Sequence, residues 1–249
     1  MHGKRYSDDI IIIVKTYKGE IDMRYSIEGG NLPVVKISLE AGETITCEAG
    51  SMAWRDQGIE MKTEGGGLGK MFSRLLSSES MFLNHYTANT AGEIAFASKF
   101  PGNILAIEVT PDKPVIVQKG SYLAYFGNVE RETFFQKKFS TGFFGGEGFI
   151  MSKFSGTGML FVEIDGTAFE YELAAGERKV INTGYMAVMD ATCDMDIESI
   201  KGAKNIFFGG EGFFNTVITG PGKLITQSMP IGVTAMRLYD LMPHPSSSD

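Results

Sequence analysis

The heptapeptide Phe-Phe-Gly-Gly-Glu-Gly-Phe occurs at residues 143–149 and again, unchanged, 64 residues later at 207–213. A second anchor keeps the same offset: Gly120-Ser121-Tyr122-Leu123-Ala124 matches Gly184-Tyr185-Met186-Ala187 in kind. Two independent anchors at one spacing mark an internal duplication, which confines the chain to similar units packed in series. A more diverged first copy carries Gly50-Ser51-Met52-Ala53 at the glycine anchor. Its Ser77-Ser78-Glu79-Ser80-Met81-Phe82 stands where the heptapeptide belongs.

The copies also align upstream. Ala41-Gly42-Glu43, Pro111-Asp112-Lys113 and Ala175-Gly176-Glu177 are turn signals placed eight residues before each glycine anchor. The run ahead of each alternates, with Ile37 and Leu39, Ile107 and Val109, and Tyr171 and Leu173 at matching positions. Period two is the signature of a strand with one buried face. Downstream, Gly92, Gly156-Thr157-Gly158 and Gly220-Pro221-Gly222 read as turns leading into further strands at 93–98, 159–164 and 223–227.

The pattern predicts an all-β chain of three tandem similar β-sandwich or barrel-like modules. The expected units are a first module at 23–101, a second at 102–167 and a third at 168–235. An N-terminal extension at 1–22, expected to add strands, and a C-terminal tail at 236–249 flank them. One helix is expected within the first module. Leu68, Met71, Phe72, Leu75 and Leu76 recur at i, i+3, i+4, i+7 and i+8, giving one apolar helical face. The 31 glycines suit such turns and disfavour long helices.

Composition narrows the function classes. A net charge of −7 opposes broad phosphate-backbone binding, so no nucleic-acid partner is expected. Cys47 and Cys193 are far apart and form no CxxC, which points to reduced thiols rather than a disulfide or zinc framework. The run at residues 10–14 is five apolar residues, too short for a signal core or a membrane span, so a cytoplasmic protein is expected. His2, His85 and His244 assemble into no triad or metal pair. Gly65-Gly66-Gly67-Leu68-Gly69-Lys70 fails the phosphate-loop pattern, because Glu64 replaces its first glycine and Met71 follows the lysine. No catalytic residue, metal or cofactor is expected, and the chain does not read as an enzyme.

Two groups of residues stand out. Glu79, Glu147 and Glu211 occupy equivalent glycine-rich loops. They are candidate ligand-binding carboxylates, or else fastenings that accept loop N–H groups. Leu68, Phe72 and Leu75 are candidate contacts to a membrane surface or a partner. The paired Phe143-Phe144 and Phe207-Phe208 place apolar rings on both faces of a strand, a reason to expect self-association.

Glu48-Ala49-Gly50-Ser51-Met52, the stretch from Gly65 through Ser80, Phe82-Leu83-Asn84 and both Phe-Phe-Gly-Gly-Glu-Gly copies together resemble the mitochondrial biogenesis family, named after a yeast "altered inheritance of mitochondria" protein of the twenty-four type. The resemblance spans about residues 23–235, on the side of the bacterial and archaeal members. It implies a fold like that of the tryptophan RNA-binding attenuation protein, three modules per chain, and assembly as a homotrimeric ring. It carries no catalytic residue across, and the yeast relative's role at the mitochondrial inner membrane is not transferred. The expected function is a non-enzymatic oligomeric scaffold or interaction protein. The alternative is a binder of a small molecule, ion or peptide between modules.

Overall fold

Short β-branched and aromatic runs separated by glycine turns become strands, and every strand needs a neighbour for its backbone N–H and C=O groups. The computed structural model describes residues 23–64, 83–137, 148–199 and 214–242. Strands β1 (Arg24–Glu28), β2 (Val34–Leu39), β3 (Thr44–Glu48), β4 (Met52–Arg55), β5 (Ile59–Glu64), β6 (Leu83–Ala88) and β7 (Gly92–Ala97) come first. They are followed by β8 (Gly102–Val109), β9 (Val115–Gln118), β10 (Tyr122–Lys137) and β11 (Phe149–Asp165). The last set is β12 (Ala168–Leu173), β13 (Arg178–Asn182), β14 (Met186–Asp190), β15 (Asp194–Ser199), β16 (Phe214–Thr219) and β17 (Gly222–Gln227), then helix α1 (Ile231–Leu241). The fold is all-β, as expected.

One antiparallel pairing scheme occurs three times. In the first set β7 lies between β2 and β4, and β6 between β3 and β5. In the last, β17 lies between β12 and β14, and β16 between β13 and β15. The middle set does the same with two long strands. The second half of β11 pairs with β8 and the start of β10; its first half pairs with β9 and the end of β10.

Local details recur with the scheme. The three upstream turns close on Glu43 N to Glu40 O at 3.1 Å, Lys113 N to Thr110 O at 3.0 Å and Glu177 N to Ala174 O at 3.0 Å. Glu43 and Glu177 also accept the backbone N–H of Glu40 and Ala174 at 2.7 and 2.9 Å. Asp56 and Asp190 each accept an N–H at 2.8 Å, from Glu93 and Lys223. Just after the glycine anchors the register slips by one residue at Met52/Trp54, Tyr122/Ala124 and Met186/Val188. Such β-bulges re-aim a strand and raise its twist.

Strand pairings also join the sets. β3 pairs with β10 through Cys47 with Ala124, Thr46 with Tyr125 and Ile45 with Phe126. β9 pairs with β14 through Val117 with Val188, Ile116 with Met189 and Val115 with Asp190. The buried clusters run across these joints. Ile37, Ile94 and Phe96 pack in one cluster with Ile104, Phe126 and Phe161. Val115, Val117 and Val162 pack in the next with Ala187, Val188 and Ile225. Burying a side chain of this size stabilises by about 1.5–3 kcal/mol relative to exposure.

Some expectations change. Gly156-Thr157-Gly158 is not a turn; it lies inside β11, paired with Val129, Asn128 and Gly127. β10 and β11 therefore run through a corner where the other two sets break. Glycine allows it: a Cβ on Gly158 would meet Phe126 O at 2.2 Å. Tyr171 was expected on a buried face, yet it is 38% exposed while its counterpart Ile37 is fully buried. The helix expected near residues 68–76, and the extension at 1–22, lie outside the described residues. Helix α1 was not foreseen. It follows Pro230, which offers no side-chain cap, and the Asp165 carboxylate accepts its Ile231 N–H at 2.7 Å.

Gly158→Ala is expected to cost about 2 kcal/mol and lower Tm by ~4–8 °C in scanning calorimetry. Gly120→Ala, with nothing within 4 Å of the added carbon, should leave Tm unchanged.

Candidate functional site

The residues singled out in the sequence, Glu79, Glu147 and Glu211 with Leu68, Phe72 and Leu75, lie outside the described residues. The described residues form a cavity beside the glycine anchors and a second one between β1, β8 and β17, and they include edge strands at the ends of the sheets.

The first cavity measures about 330 Å³ and gathers the ends of all three strand sets. Glu48, Gln118, Ser121, Asp165, Gly184 and Gln227 contribute to its wall. Glu48 and Gln118 hold equivalent positions, two residues before Gly50 and Gly120. The Gln227 side chain braces one side, donating to Gly184 O at 3.1 Å and accepting Asp165 N–H at 3.0 Å. Beyond it lies a charge cluster in which one acid is buried under an exposed lysine. Glu163 is 3% exposed and accepts the Lys99 N–H at 2.8 Å, with Lys99 Nζ at 3.5 Å. The same ammonium reaches Glu48 at 3.8 Å.

Burial pushes the Glu48 carboxyl above its ordinary value of 4.5, although Lys99, Lys119 and Arg131 pull against the shift. Burial likewise raises Asp165, which the Ile231 N–H partly offsets. The two thiols are buried and unpaired. Desolvation pushes Cys47 up to about 12 and raises Cys193, so both are poor nucleophiles. His85 packs in β6, its Nδ1 2.9 Å from the Thr46 hydroxyl. Among the described residues no group of three His, Cys, Asp or Glu side chains is placed to hold a metal ion. Nor is any helix there long and apolar enough to cross a membrane. What the cavity can do is offer amide, hydroxyl and carboxyl groups to a small polar molecule.

Among the described residues β1, β4, β5, β8, β12, β13 and β15 each pair on one side only, and β4 and β13 stand apart in that their counterparts lie at the internal joints. β13 pairs only with β16, and β4 only with β7. Their counterparts at the internal joints are covered on both sides. Val180 on β13 is 61% exposed, whereas the equivalent Ile116 is fully buried. Trp54 on β4 is 46% exposed, whereas Ala124 and Val188 are 0 and 3% exposed. Phe169 and Tyr171 on β12 are exposed beside β13, with Lys179 Nζ 4.0 Å above the Tyr171 ring. No local pattern marks these residues. Trp54 reads as an ordinary strand aromatic, and only alignment of the three copies shows that it stands where buried residues stand elsewhere.

This is an all-β chain in which one strand-pairing scheme recurs and successive strand sets close on one another. The family model described as mitochondrial biogenesis AIM24 matches residues 25–229, and the chain belongs to that family. An uncharacterised Streptococcus pyogenes serotype M6 protein is 28% identical over 236 residues, covering 90% of this chain and 93% of its own. A Streptococcus pyogenes protein of known crystal structure superimposes with a TM-score of 0.74 at 26% identity, covering 88% of this chain and all of that one.

A carboxyl whose pKa is raised on folding favours its protonated form in the native state. Its contribution to stability therefore falls as pH climbs through the interval above 4.5. Glu48→Gln is expected to raise Tm at pH 7, and the gain should shrink towards zero near pH 4. Thermal melts across that range measure it.

Proposed function

We propose that the chain is a non-enzymatic scaffold that assembles with copies of itself by completing split sheets. In this reading the three strand sets are copies of one ancestral module. The observation that carries it is a mismatch at the two ends. The internal joints each join one module's sheet to the next, while the four-stranded sheet β1-β2-β7-β4 and the three-stranded sheet β13-β16-β15 end unmatched. One is a module's front half without a predecessor; the other is a module's back half without a successor. Unpaired edges bearing apolar side chains invite strand addition.

A closed ring of three copies fits this reading, supported by the resemblance to a ring-forming fold. The net charge of −7 disfavours nucleic acid as the partner. Two buried, unpaired cysteines are compatible with a reducing, cytoplasmic setting.

A second reading, a binder of a small polar molecule, is favoured by the cavity at the joints. Thermal-shift screening against metabolites and divalent ions tests it, since a native-state ligand raises Tm by mass action.

Light scattering at micromolar concentration should return three times the 27.2 kDa chain mass. Val180→Lys, a change at an exposed position, should reduce that to one chain with an unaltered far-ultraviolet spectrum. A wild-type chain that stays monomeric overturns the proposal.

A further inference from the structure

β2 and β8 hold equivalent places in the first and second strand sets, with Val35 and Ile37 matching Leu105 and Ile107. Their outer edges differ. β1 covers that of β2, and Val35 and Ile37 are fully buried. Among the described residues β8 pairs with β11 alone, and Leu105, Ala106 and Ile107 are only partly buried. Beside that edge lies the second cavity, of about 520 Å³. Tyr25 and Ile27 of β1 wall one side, and Lys223 and Ile225 of β17 the other. We infer that this slot receives one further strand, residues 10–14 of the same chain, added to the free edge of β8.

The two faces of β8 decide what fits there. Ile104 and Ala106 pack in the first buried cluster with Tyr25 and Ile27, and Leu105 and Ile107 in the next with Val188 and Ile225. A strand added to β8 lies between the same two clusters, so it must be apolar on both faces. Strands of that kind are continuous apolar runs, not alternating ones. An alternating segment would bury polar side chains in one cluster or the other. Residues 10–14 are four isoleucines and a valine, all β-branched and suited to a strand. Their place in the chain also fits. Residues 1–22 lie outside the described residues and end directly before Met23, which leads into β1, one wall of the slot. The eight residues between Val14 and Met23 span up to about 26–29 Å, enough to bring the run alongside β8. The equivalent bare edge in the third set, β12, carries the exposed Glu170 and Glu172, and charges protect an open edge. From Asn103 to Ile107 β8 carries no charge, so its edge calls for cover instead.

Amide hydrogen exchange on the full-length chain, read residue by residue by NMR, tests the inference. The N–H groups of β8 that point away from β11 should be protected in the wild type. Ile12→Asp should speed their exchange by about tenfold or more, since it sets a charge between two apolar clusters. Ile12→Val should leave it unchanged. Exchange in β13 and β16 should match in all three chains and serves as the folded reference. Should Ile12→Asp loosen β13 and β16 as well, Ile12→Thr against Ile12→Val makes the same comparison with one hydroxyl in place of a methyl group. Faster exchange in β1 with β8 unaffected would put the segment on β1 as a hairpin and overturn the slot. Outward N–H groups of β8 that are unprotected in the wild type, or that Ile12→Asp leaves unchanged, overturn it too. Protection that falls on dilution would assign the strand to a second copy and overturn its assignment to the same chain.

Discussion

A strand at the edge of a sheet carries a row of backbone donors and acceptors that must be met by water or by another strand. In this chain that requirement is met between successive strand sets, through β3 on β10 and β9 on β14. The cores depend on those pairings. Phe161, for example, belongs to the second set but is buried in the first cluster, its ring 5.2 Å from that of Tyr25. Neither set would close its own core alone, which is why the chain reads as a series of joints rather than as independent domains.

The glycine anchors were legible in the sequence, but their physical meaning was not. Gly50, Gly120 and Gly184 stood out only as anchors of the repeat. Each lies in a tight turn, and a bulge begins two residues later, at Met52, Tyr122 or Met186. Alternation located β2, β8 and β12 because one face of a strand usually meets a core. It misjudged Tyr171, whose ring is half exposed with the Lys179 ammonium over its face. The corner in β11 was missed because Gly-Thr-Gly is the composition of a turn; only its pairing to Gly127 and Asn128 shows a continuous strand. Helix α1 escaped because its N-terminal acceptor, Asp165, is 66 residues away in sequence.

The charged cluster shows how the acids at this joint are partnered. Glu163 is held by a backbone N–H and by Lys99, and Glu48 shares the same ammonium. The carboxyls are occupied with one lysine that links the Glu163 strand to the end of β3. With the lysine half exposed, the ion pairs themselves contribute little net stability. The role of the cluster is to fix how two strand sets meet. The two thiols are raised by burial rather than activated.

Two identical internal joints impose a consequence on any external one. A contact that joins unlike surfaces either closes into a ring or propagates as a filament, and the rotation per step decides which. Within the chain, one step from set to set is taken twice with the same strands and the same register. A third step of the same kind, from β13 to β4 of a second copy, would continue the existing rotation instead of adding a new one. The curvature of the assembly would then be a property already present inside each polypeptide.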